Sequence, residues 1–134
     1  MIQVAAGIVV KDGKILIARR KKGQSHAGLW EFPGGKIEQG ETPQECLERE
    51  LEEELGILVK AGRVIARGED HSEHGSFVVL AIEAELLSGE IALDVHDSAL
   101  WVEPENLKDY RLAPADGKLI EQIRAGLGDE LAGA

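Results

Sequence analysis

Apolar residues form two β-branched runs near the start of the chain. Residues 2–10 (IQVAAGIVV) and 14–18 (KILIA) are separated by Lys11, Asp12 and Gly13. Val and Ile favour strands, and an Asp-Gly pair readily adopts the positive φ angles that a two-residue hairpin turn requires. The pattern therefore predicts a β-hairpin that turns at Asp12 and Gly13.

A more polar segment follows the predicted hairpin. Residues 19–26 are mostly polar or basic, residues 29–32 form a short, partly aromatic run, and Pro33, Gly34 and Gly35 end that run. Proline and adjacent glycines interrupt regular structure. The segment predicts a loop, a short strand and a second loop.

The next segment carries strong signals for a helix. Thr42 suits the N-cap, Pro43 suits the first helical position, and Glu45 stands where it completes a capping box. Gly56 follows Leu55 and can adopt the left-handed conformation that commonly ends a helix. We predict a helix that begins after Thr42 and ends at Leu55.

The second half of the chain carries weaker signals of the same kinds. They predict strands at 57–67, at 76–87 and around 100–102, a helical turn at 104–107, and a helix from residue 114 to about 125. Residues 126–134 are small and polar enough to fray. A chain of this length fits a single domain over residues 1–134.

Composition narrows the class of protein. Hydrophobic residues make up 43% of the chain, and no apolar run approaches a membrane span, so we expect a globular protein that does not enter membranes. Met1 leads directly into the first predicted strand without a signal-peptide layout, which favours the cytoplasm. Cys46, the single cysteine, excludes an intrachain disulfide and suits a small core position.

The net charge of -10 constrains the partners. Proteins that bind duplex nucleic acid usually present a broad basic face, so no nucleic-acid polymer is expected as a partner. A phosphate-rich small molecule would also be repelled unless bound cations reversed the local field. An acidic enzyme acting on phosphates should therefore depend on metal ions.

Three glutamates share one face of the predicted helix. Glu50, Glu53 and Glu54 stand at i, i+3 and i+4, where like charges repel each other. Mg²⁺ would remove this conflict, because it accepts carboxylate oxygens while keeping water and phosphate oxygens as other ligands. Taken alone, the cluster also fits a solvated face, since glutamate-rich helices are common.

The spacing around these glutamates is more specific than the cluster itself. Fixed positions recur from the glycine-rich loop to the helix end, and the segment resembles the box of the Nudix hydrolase family. The matching positions are Gly35, Glu41, Arg49, Glu50, Leu51, Glu53, Glu54, Gly56 and Ile57. The chain is thereby identified as similar to Nudix hydrolases.

This resemblance implies a fold and a metal site. The fold would be α+β, an α/β/α sandwich in which a mixed β-sheet lies between helices and the box forms a loop, helix and loop. Glu50, Glu53 and Glu54 would bind Mg²⁺, with Mn²⁺ as a substitute, and Arg49 would orient Glu50. The carbonyl of Gly34 is a further predicted ligand, because paired glycines allow close approach of the backbone.

Hydrolysis also needs a general base. Metal ions about 3.5 to 4 Å apart can activate a water and neutralise phosphate charge. The candidates for the base are Glu53, Glu50 and, from a distant loop, Asp97. Histidines are expected at the surface or in loops rather than among the ligands, since a carboxylate site suits Mg²⁺: His71, His74 and His96.

Resemblance beyond the box is to the MutT-type triphosphate pyrophosphohydrolases, including their CTP-cleaving branch, over residues 3 to about 123. By that analogy Arg20 and Lys36 contact phosphates, and Phe32 lines the base pocket. Glu31, in the same run before the box, joins the predicted substrate-binding residues. Asp116 would read the base. An ordinary surface charge remains open for Arg20.

Asp116 departs from the asparagine of the MutT pattern. An ionised carboxylate only accepts hydrogen bonds, so Asp116 should favour the N–H donors of cytosine or guanine and disfavour uracil or thymine. A purely structural role is the alternative. Because Asp116 follows Pro114 and Ala115, it could cap the last helix.

The resemblance implies hydrolysis of a nucleoside triphosphate to the monophosphate and pyrophosphate. The substrate would be 8-oxo-dGTP or a cytosine nucleotide. The role of the enzyme would be to clean the nucleotide pool in support of DNA repair. One alternative is a Nudix hydrolase of ADP-ribose, dinucleoside polyphosphates or another nucleoside diphosphate derivative. A second is a nucleotide-sensing module without catalysis. The chain is expected to be a monomer or a homodimer.

Overall fold

The computed structural model describes residues 1–72 and 75–128. His74 and residues 129–134 of the predicted frayed tail lie outside the described residues. None of the helices in the described ranges combines the length and apolar character needed to cross a membrane.

Seven strands and three α-helices make up the described ranges. In chain order they are β1 (Ile2–Lys11), β2 (Lys14–Arg20), β3 (Trp30–Glu31), β4 (Gly34–Lys36), α1 (Pro43–Leu55), β5 (Leu58–Ser72), β6 (Gly75–Ser88), β7 (His96–Val102), α2 (Pro114–Gly117) and α3 (Ile120–Leu127). A 3-10 helix spans Pro104–Asp109 and follows β7.

The predicted N-terminal hairpin is confirmed. β1 and β2 pair antiparallel, with Val10 opposite Ile15 and Lys11 opposite Lys14. Asp12 and Gly13 have φ angles of 51° and 75°, which is the backbone that the Asp-Gly pair predicts.

The strands form one mixed sheet in the order β3-β2-β1-β6-β5, with β4 paired to β1 and β7 paired to β2. β1 and β6 are parallel, from Ile2 opposite Phe77 to Val10 opposite Glu85. The other pairs are antiparallel. Since β1 lies at the centre and pairs with β4, the strand that opens the box is fixed to the middle of the sheet.

Each face of the sheet carries its own apolar core. One face packs against α1 through Leu47, Leu51 and Leu55. The other packs against the C-terminal helices through Leu119 and Ile123. Neighbouring positions of β1 and β2 alternate between the two clusters, as side chains on a strand must. The α/β/α sandwich is therefore confirmed.

The predicted helix of the box is confirmed at both ends. The Thr42 hydroxyl accepts from the Glu45 N–H at 3.0 Å, and the Glu45 carboxylate accepts from the Thr42 N–H at 2.8 Å. Gly56 has φ 69°, and its N–H bonds to the Glu52 carbonyl. Both ends of the helix are therefore capped by hydrogen bonds. Because the caps fix where the helix begins and ends, they also help to fix the position of its carboxylates.

The predictions for one loop and for the bounds of the C-terminal helix are wrong. Gly34 and Gly35 belong to a strand rather than a loop, because β1 supplies pairing partners for their backbone. The predicted C-terminal helix is split between Gly117 and Ile120 and continues to Leu127, past the predicted end. Leu127 is buried in the core, so fraying does not begin at Gly126.

Candidate active site

The carboxylates of α1 face a cavity of about 440 Å³ beside the strands β3 and β4. We call it the carboxylate cavity. Its charged lining comes from the elements β2, β3, β4 and α1 and from the loop after β4: Arg20, Glu31, Lys36, Glu38, Glu50 and Glu54. Gly34, whose carbonyl is a predicted metal ligand, also lines this cavity. The sheet and α1 therefore bring acidic and basic groups to one opening.

Glu54 is the most electrostatically strained of these groups. Burial, and then the negative charges of Glu31 and Glu50, raise its pKa to about 8. Its Oε2 atom is buried and has no hydrogen-bond partner among residues 1–72 and 75–128. A buried acceptor without a partner costs free energy, and a cation would supply both the partner and the opposite charge. The residues present therefore fit a divalent metal ion.

Arg49 joins the box carboxylates into one network. Its Nε and Nη2 donate to both oxygens of Glu41, at 3.2 and 2.8 Å. Its Nη1 donates to Glu50 at 2.9 Å and to Glu53 at 3.3 Å. The guanidinium, with a backbone hydrogen bond from Glu38, lowers the pKa of Glu41 to about 2. Arg49 thus sits where the resemblance implies, against the carboxylate of Glu50.

Glu53 lies farther from the cavity than its neighbours on the helix. Its side chain is 60% exposed and contacts Arg49, and it is absent from the cavity lining. Glu50 is 16% exposed in its side chain, and a hydrogen bond to Glu50 also contributes to the raised pKa of Glu54. The three glutamates share one face, but Glu50 and Glu54 are the ones directed inward.

Gly35 determines where the Glu50 carboxylate can lie. A Cβ atom on Gly35 would stand 2.5 Å from Glu50 Cδ and 2.7 Å from Glu50 Oε2. Because the obstructing atoms are the end of a flexible side chain, Glu50 can move away without disturbing the sheet.

Replacing Gly35 by alanine is therefore expected to reduce hydrolysis much more than stability. We expect kcat to fall by about 10-fold or more, because small displacements of catalytic groups are costly, while the free energy of unfolding changes by less than about 2 kcal/mol. Steady-state kinetics and urea unfolding of the same preparation measure both quantities. Unchanged kcat in a folded variant would show that the position of Glu50 is not critical.

The structure corrects the prediction for His96. It is not a surface or loop residue: it begins β7, and its side chain is 0% exposed. Its Nε2 lies 2.8 Å from Glu31 Oε2. His71, by contrast, has an exposed side chain in β5, as expected. A buried histidine therefore reaches the acidic lining of the carboxylate cavity from the far end of the chain.

Asp97, a predicted candidate for the general base, does not reach the carboxylate cavity. Its carboxylate accepts from Arg19 Nε at 2.7 Å, and both side chains are about two-fifths exposed. Asp97 is the extra residue at an irregularity in the pairing of β7 with β2, between His96 opposite Arg20 and Ser98 opposite Arg19. Of the three residues predicted as the general base, Glu50 and Glu53 therefore remain.

The predicted phosphate-binding residues do reach the carboxylate cavity. Arg20 has an 18% exposed side chain and lies 3.5 Å from Glu31 through Nη1. Its Nε donates to the Ser25 carbonyl at 3.3 Å, which holds the guanidinium at the cavity wall. Lys36 is exposed and lines the same opening. The two cations suit an anionic ligand, and the Arg20 side chain is mostly buried at the cavity wall.

A second cavity of about 690 Å³ adjoins the first and shares Glu31, Gly34 and Lys36 with it. We call it the aromatic cavity, because Phe32 and Phe77 both line it. Its size and mostly apolar walls suit a nucleobase and sugar. The shared residues connect it to the carboxylate cavity, so one ligand can occupy both.

Asp116 is buried at the wall of the aromatic cavity, and its Oδ2 accepts from the Phe32 N–H at 3.1 Å. The alternative role as a helix cap is wrong: α2 has Ala113 at its N-cap and no side-chain capping bond. Burial, and then the charge of Glu31, raise the pKa of Asp116 to about 8. This rise in pKa favours the protonated form of Asp116, whereas the sequence-based prediction started from an ionised carboxylate.

Replacing Asp116 by asparagine is expected to stabilise the protein increasingly as pH rises. Between the ordinary pKa of 3.8 and the folded value of about 8, the unfolded chain has released a proton that the folded chain keeps. The free energy of unfolding of the parent protein therefore falls with rising pH, by up to about 1.4 kcal/mol per pH unit. Asparagine removes this dependence. Urea unfolding at pH 5, 6.5 and 8 measures the difference, and a constant difference would contradict it.

Several cavity residues were missed by sequence analysis. Phe77, Ser25 and His26 line the cavities, and Asp70 lies at the wall of the aromatic cavity. Ser25 and His26 stood within a polar loop without a motif, and Phe77 within a strand that gave no sign of its facing side. The glycines on either side of Ser25 and His26 indicate a loop. A loop signal does not show which of its residues face a ligand.

The sequence is similar to a known protein family and to several of its characterised members. A family profile described as the NUDIX domain matches residues 1–123. The chain is 39% identical over 125 residues to the CTP pyrophosphohydrolase of Escherichia coli, which covers 93% of both chains. It is 37% identical over 126 residues to the 8-oxo-dGTP diphosphatase of Haemophilus influenzae, covering 92% of this chain and 91% of that one.

A solved structure has the same fold over nearly the full length. The solution structure of the E. coli ORF135 protein superposes with a TM-score of 0.82 at 37% identity. The match covers 98% of this chain and 94% of that chain. The similarity of fold therefore extends over nearly the whole chain.

Proposed function

This chain belongs to the NUDIX hydrolase family, and we propose that it hydrolyses a nucleoside triphosphate to the monophosphate and pyrophosphate with the help of Mg²⁺. One observation carries the proposal. A cavity lined by Glu50 and Glu54 opens into a second cavity lined by Phe32 and Asp116. The first suits metal ions and phosphates, and the second suits a nucleoside.

Each part of the site has a task in this reaction. Glu50 and Glu54 hold the metal ions, with Glu53 and the Gly34 carbonyl as further ligands. When bound, such ions lower the pKa of a water and neutralise charge on phosphate oxygens. Arg49 keeps the Glu50 carboxylate in place through its 2.9 Å hydrogen bond.

The remaining groups bind substrate and move the proton. Arg20 and Lys36 bind the phosphate chain, where their charges offset the acidic lining. Glu53 is one candidate for the group that accepts the proton of the attacking water, although its carboxylate lies outside the lining of the carboxylate cavity. Glu50 is the alternative base. Phe32 packs against the nucleobase.

The substrate class is proposed from the relatives and from Asp116. The two curated relatives are named for CTP and for 8-oxo-dGTP. A protonated Asp116 offers one O–H donor and an acceptor, which matches a base edge that presents an acceptor beside a donor. Cytosine and guanine both present such an edge. Uracil does too, so the predicted rejection of uracil and thymine no longer follows from charge alone.

A nucleotide panel tests the proposal. Cytosine, guanine, 8-oxoguanine and thymine triphosphates, ADP-ribose and a dinucleoside polyphosphate are each incubated with Mg²⁺, and pyrophosphate and phosphate are measured separately. We expect pyrophosphate release from a triphosphate and its loss in chelator. Preferential cleavage of ADP-ribose would favour the diphosphate-derivative alternative, and binding without turnover in every case would favour a sensing module.

Other proposed properties follow from this function. The cytoplasm is the proposed location, because nucleoside triphosphates are consumed there. Hydrolysis of an oxidised triphosphate would remove it from the nucleotide pool before DNA synthesis.

A further inference from the structure

Three metal-binding side chains from distant parts of the chain converge at the carboxylate cavity. Glu31 comes from β3, Glu54 from α1 and His96 from β7. One potential ligand atom from each lies within 4.8 Å of the corresponding atoms of the other two. This cluster includes an imidazole, so it differs in chemistry from the row of glutamates on the box helix.

Burial and hydrogen bonding indicate that the cluster is incomplete as it stands. The His96 side chain is fully buried and its Nε2 contacts Glu31 Oε2 at 2.8 Å. Glu54 Oε2, which lies beside this pair, is buried without a hydrogen-bond partner in the described part of the chain. Buried polar atoms are rarely left unpaired unless a water, ion or ligand completes them.

A simple hydrogen bond between His96 and Glu31 does not account for Glu54. That pair would be satisfied without a third group, yet Glu54 lies against it with an unpartnered oxygen. Arg20 Nη1 lies 3.5 Å from Glu31 Oε2. Its guanidinium already donates to Ser25 and Gln24, and no hydrogen bond or ion pair joins it to Glu54.

We propose that Glu31, Glu54 and His96 form a cation subsite with two carboxylate ligands and one imidazole ligand, which takes Mn²⁺, Co²⁺ or Zn²⁺ in preference to Mg²⁺. Imidazole nitrogen is a good ligand for these ions, whereas Mg²⁺ strongly prefers oxygen ligands and retains its waters. The inference deepens the proposed function, on whose metal-dependent cavity it rests. It shares Glu54 with the box and adds a metal preference to that cavity.

Binding of metal alone, without nucleotide, tests the subsite. Zn²⁺ is added to protein labelled with ¹⁵N, and the imidazole nitrogens of His96 are observed by NMR. We expect the ¹⁵N signal of His96 Nε2 to move to the range of a metal-bound nitrogen at one equivalent of Zn²⁺, and not to reach that range at the same concentration of Mg²⁺. If the ¹⁵N signal of His96 Nε2 does not move when Zn²⁺ is added, the proposal is overturned. This measurement requires no substitution that could unfold the chain.

Titration with Mn²⁺, followed by electron paramagnetic resonance, provides the second test. His96→Gln and Glu31→Gln are each expected to weaken Mn²⁺ binding by about 10-fold or more while Mg²⁺ binding changes little. His71→Gln is the matched control, because His71 is exposed and contacts Ser76 and Glu69 instead. Equal Mn²⁺ affinities for the parent and His96→Gln proteins, with circular dichroism confirming the fold, would also overturn it.

These results are distinguishable from failure of the proposed function. If the protein hydrolyses triphosphates with Mg²⁺ but His96 does not respond to Zn²⁺, the subsite is wrong and the hydrolase proposal stands. If His96 binds Zn²⁺ but no nucleotide is cleaved with any ion, the subsite stands and the hydrolase proposal fails.

Discussion

Replacing Glu54 by glutamine is expected to lower kcat by about 10³-fold while leaving the fold intact. Glu54 is half-buried beside Glu31 and Glu50, where its negative charge is repelled in the metal-free protein. An amide keeps the shape of the side chain and removes that repulsion, so stability should not fall. It cannot provide the charge that a metal ion requires, and metal ions supply several kcal/mol of transition-state stabilisation.

Steady-state kinetics with Mg²⁺ and a thermal shift on adding Mn²⁺ measure the two consequences. We expect the Glu54→Gln protein to lose both turnover and the increase in Tm that metal binding gives the parent. Glu52→Gln is the matched control, since Glu52 is on the same helix and exposed. If Glu54→Gln retains the kcat of the parent, the carboxylate cavity is not where the ions act.

Replacing Gly34 by alanine is expected to destabilise the protein by at least about 3 kcal/mol. A Cβ atom on Gly34 would overlap the carbonyl oxygen of Ala5, which is backbone of the central strand β1. Neither partner is a flexible side-chain end, so β4 would have to separate from β1. Overpacking of this kind commonly costs about 1–3 kcal/mol when side chains can adjust, and backbone cannot.

Urea unfolding followed by circular dichroism measures this loss. Gly117→Ala is the matched control, because its Cβ atom would stand 4.0 Å from Leu112 Cβ and the residue lies in a helix. We expect that control to be neutral or slightly stabilising. A Gly34→Ala protein as stable as the control would mean that β4 is not held against β1 as described.

Gly34 and Gly35 illustrate two different reasons for adjacent glycines. At Gly34 a Cβ atom would overlap backbone atoms, so the fold itself requires a glycine there. At Gly35 the obstacle is the Glu50 carboxylate, and the requirement comes from the site. The pair therefore connects the middle of the sheet to the position of Glu50, a proposed metal ligand.

Local sequence determined the elements whose stabilising interactions are also local. The capping box of Thr42 and Glu45 joins residues three apart, and the hairpin turn joins neighbours. Helical spacing alone put Glu50 and Glu54 on one face, because the period of an α-helix is fixed. The fixed spacing of the box then pointed to the family.

Tertiary structure decided everything that depends on residues far apart in the chain. His96 meets Glu31 across 65 positions, and Asp116 meets Phe32 across 84. Neither the burial of His96 nor the protonation of Asp116 has a local signal, because both result from low-dielectric surroundings assembled by the sheet. The same holds for β4, whose glycines became a strand only when β1 offered hydrogen-bond partners. The sequence by itself thus determined the helix with its acidic face, whereas only folding decided which other groups that face would meet.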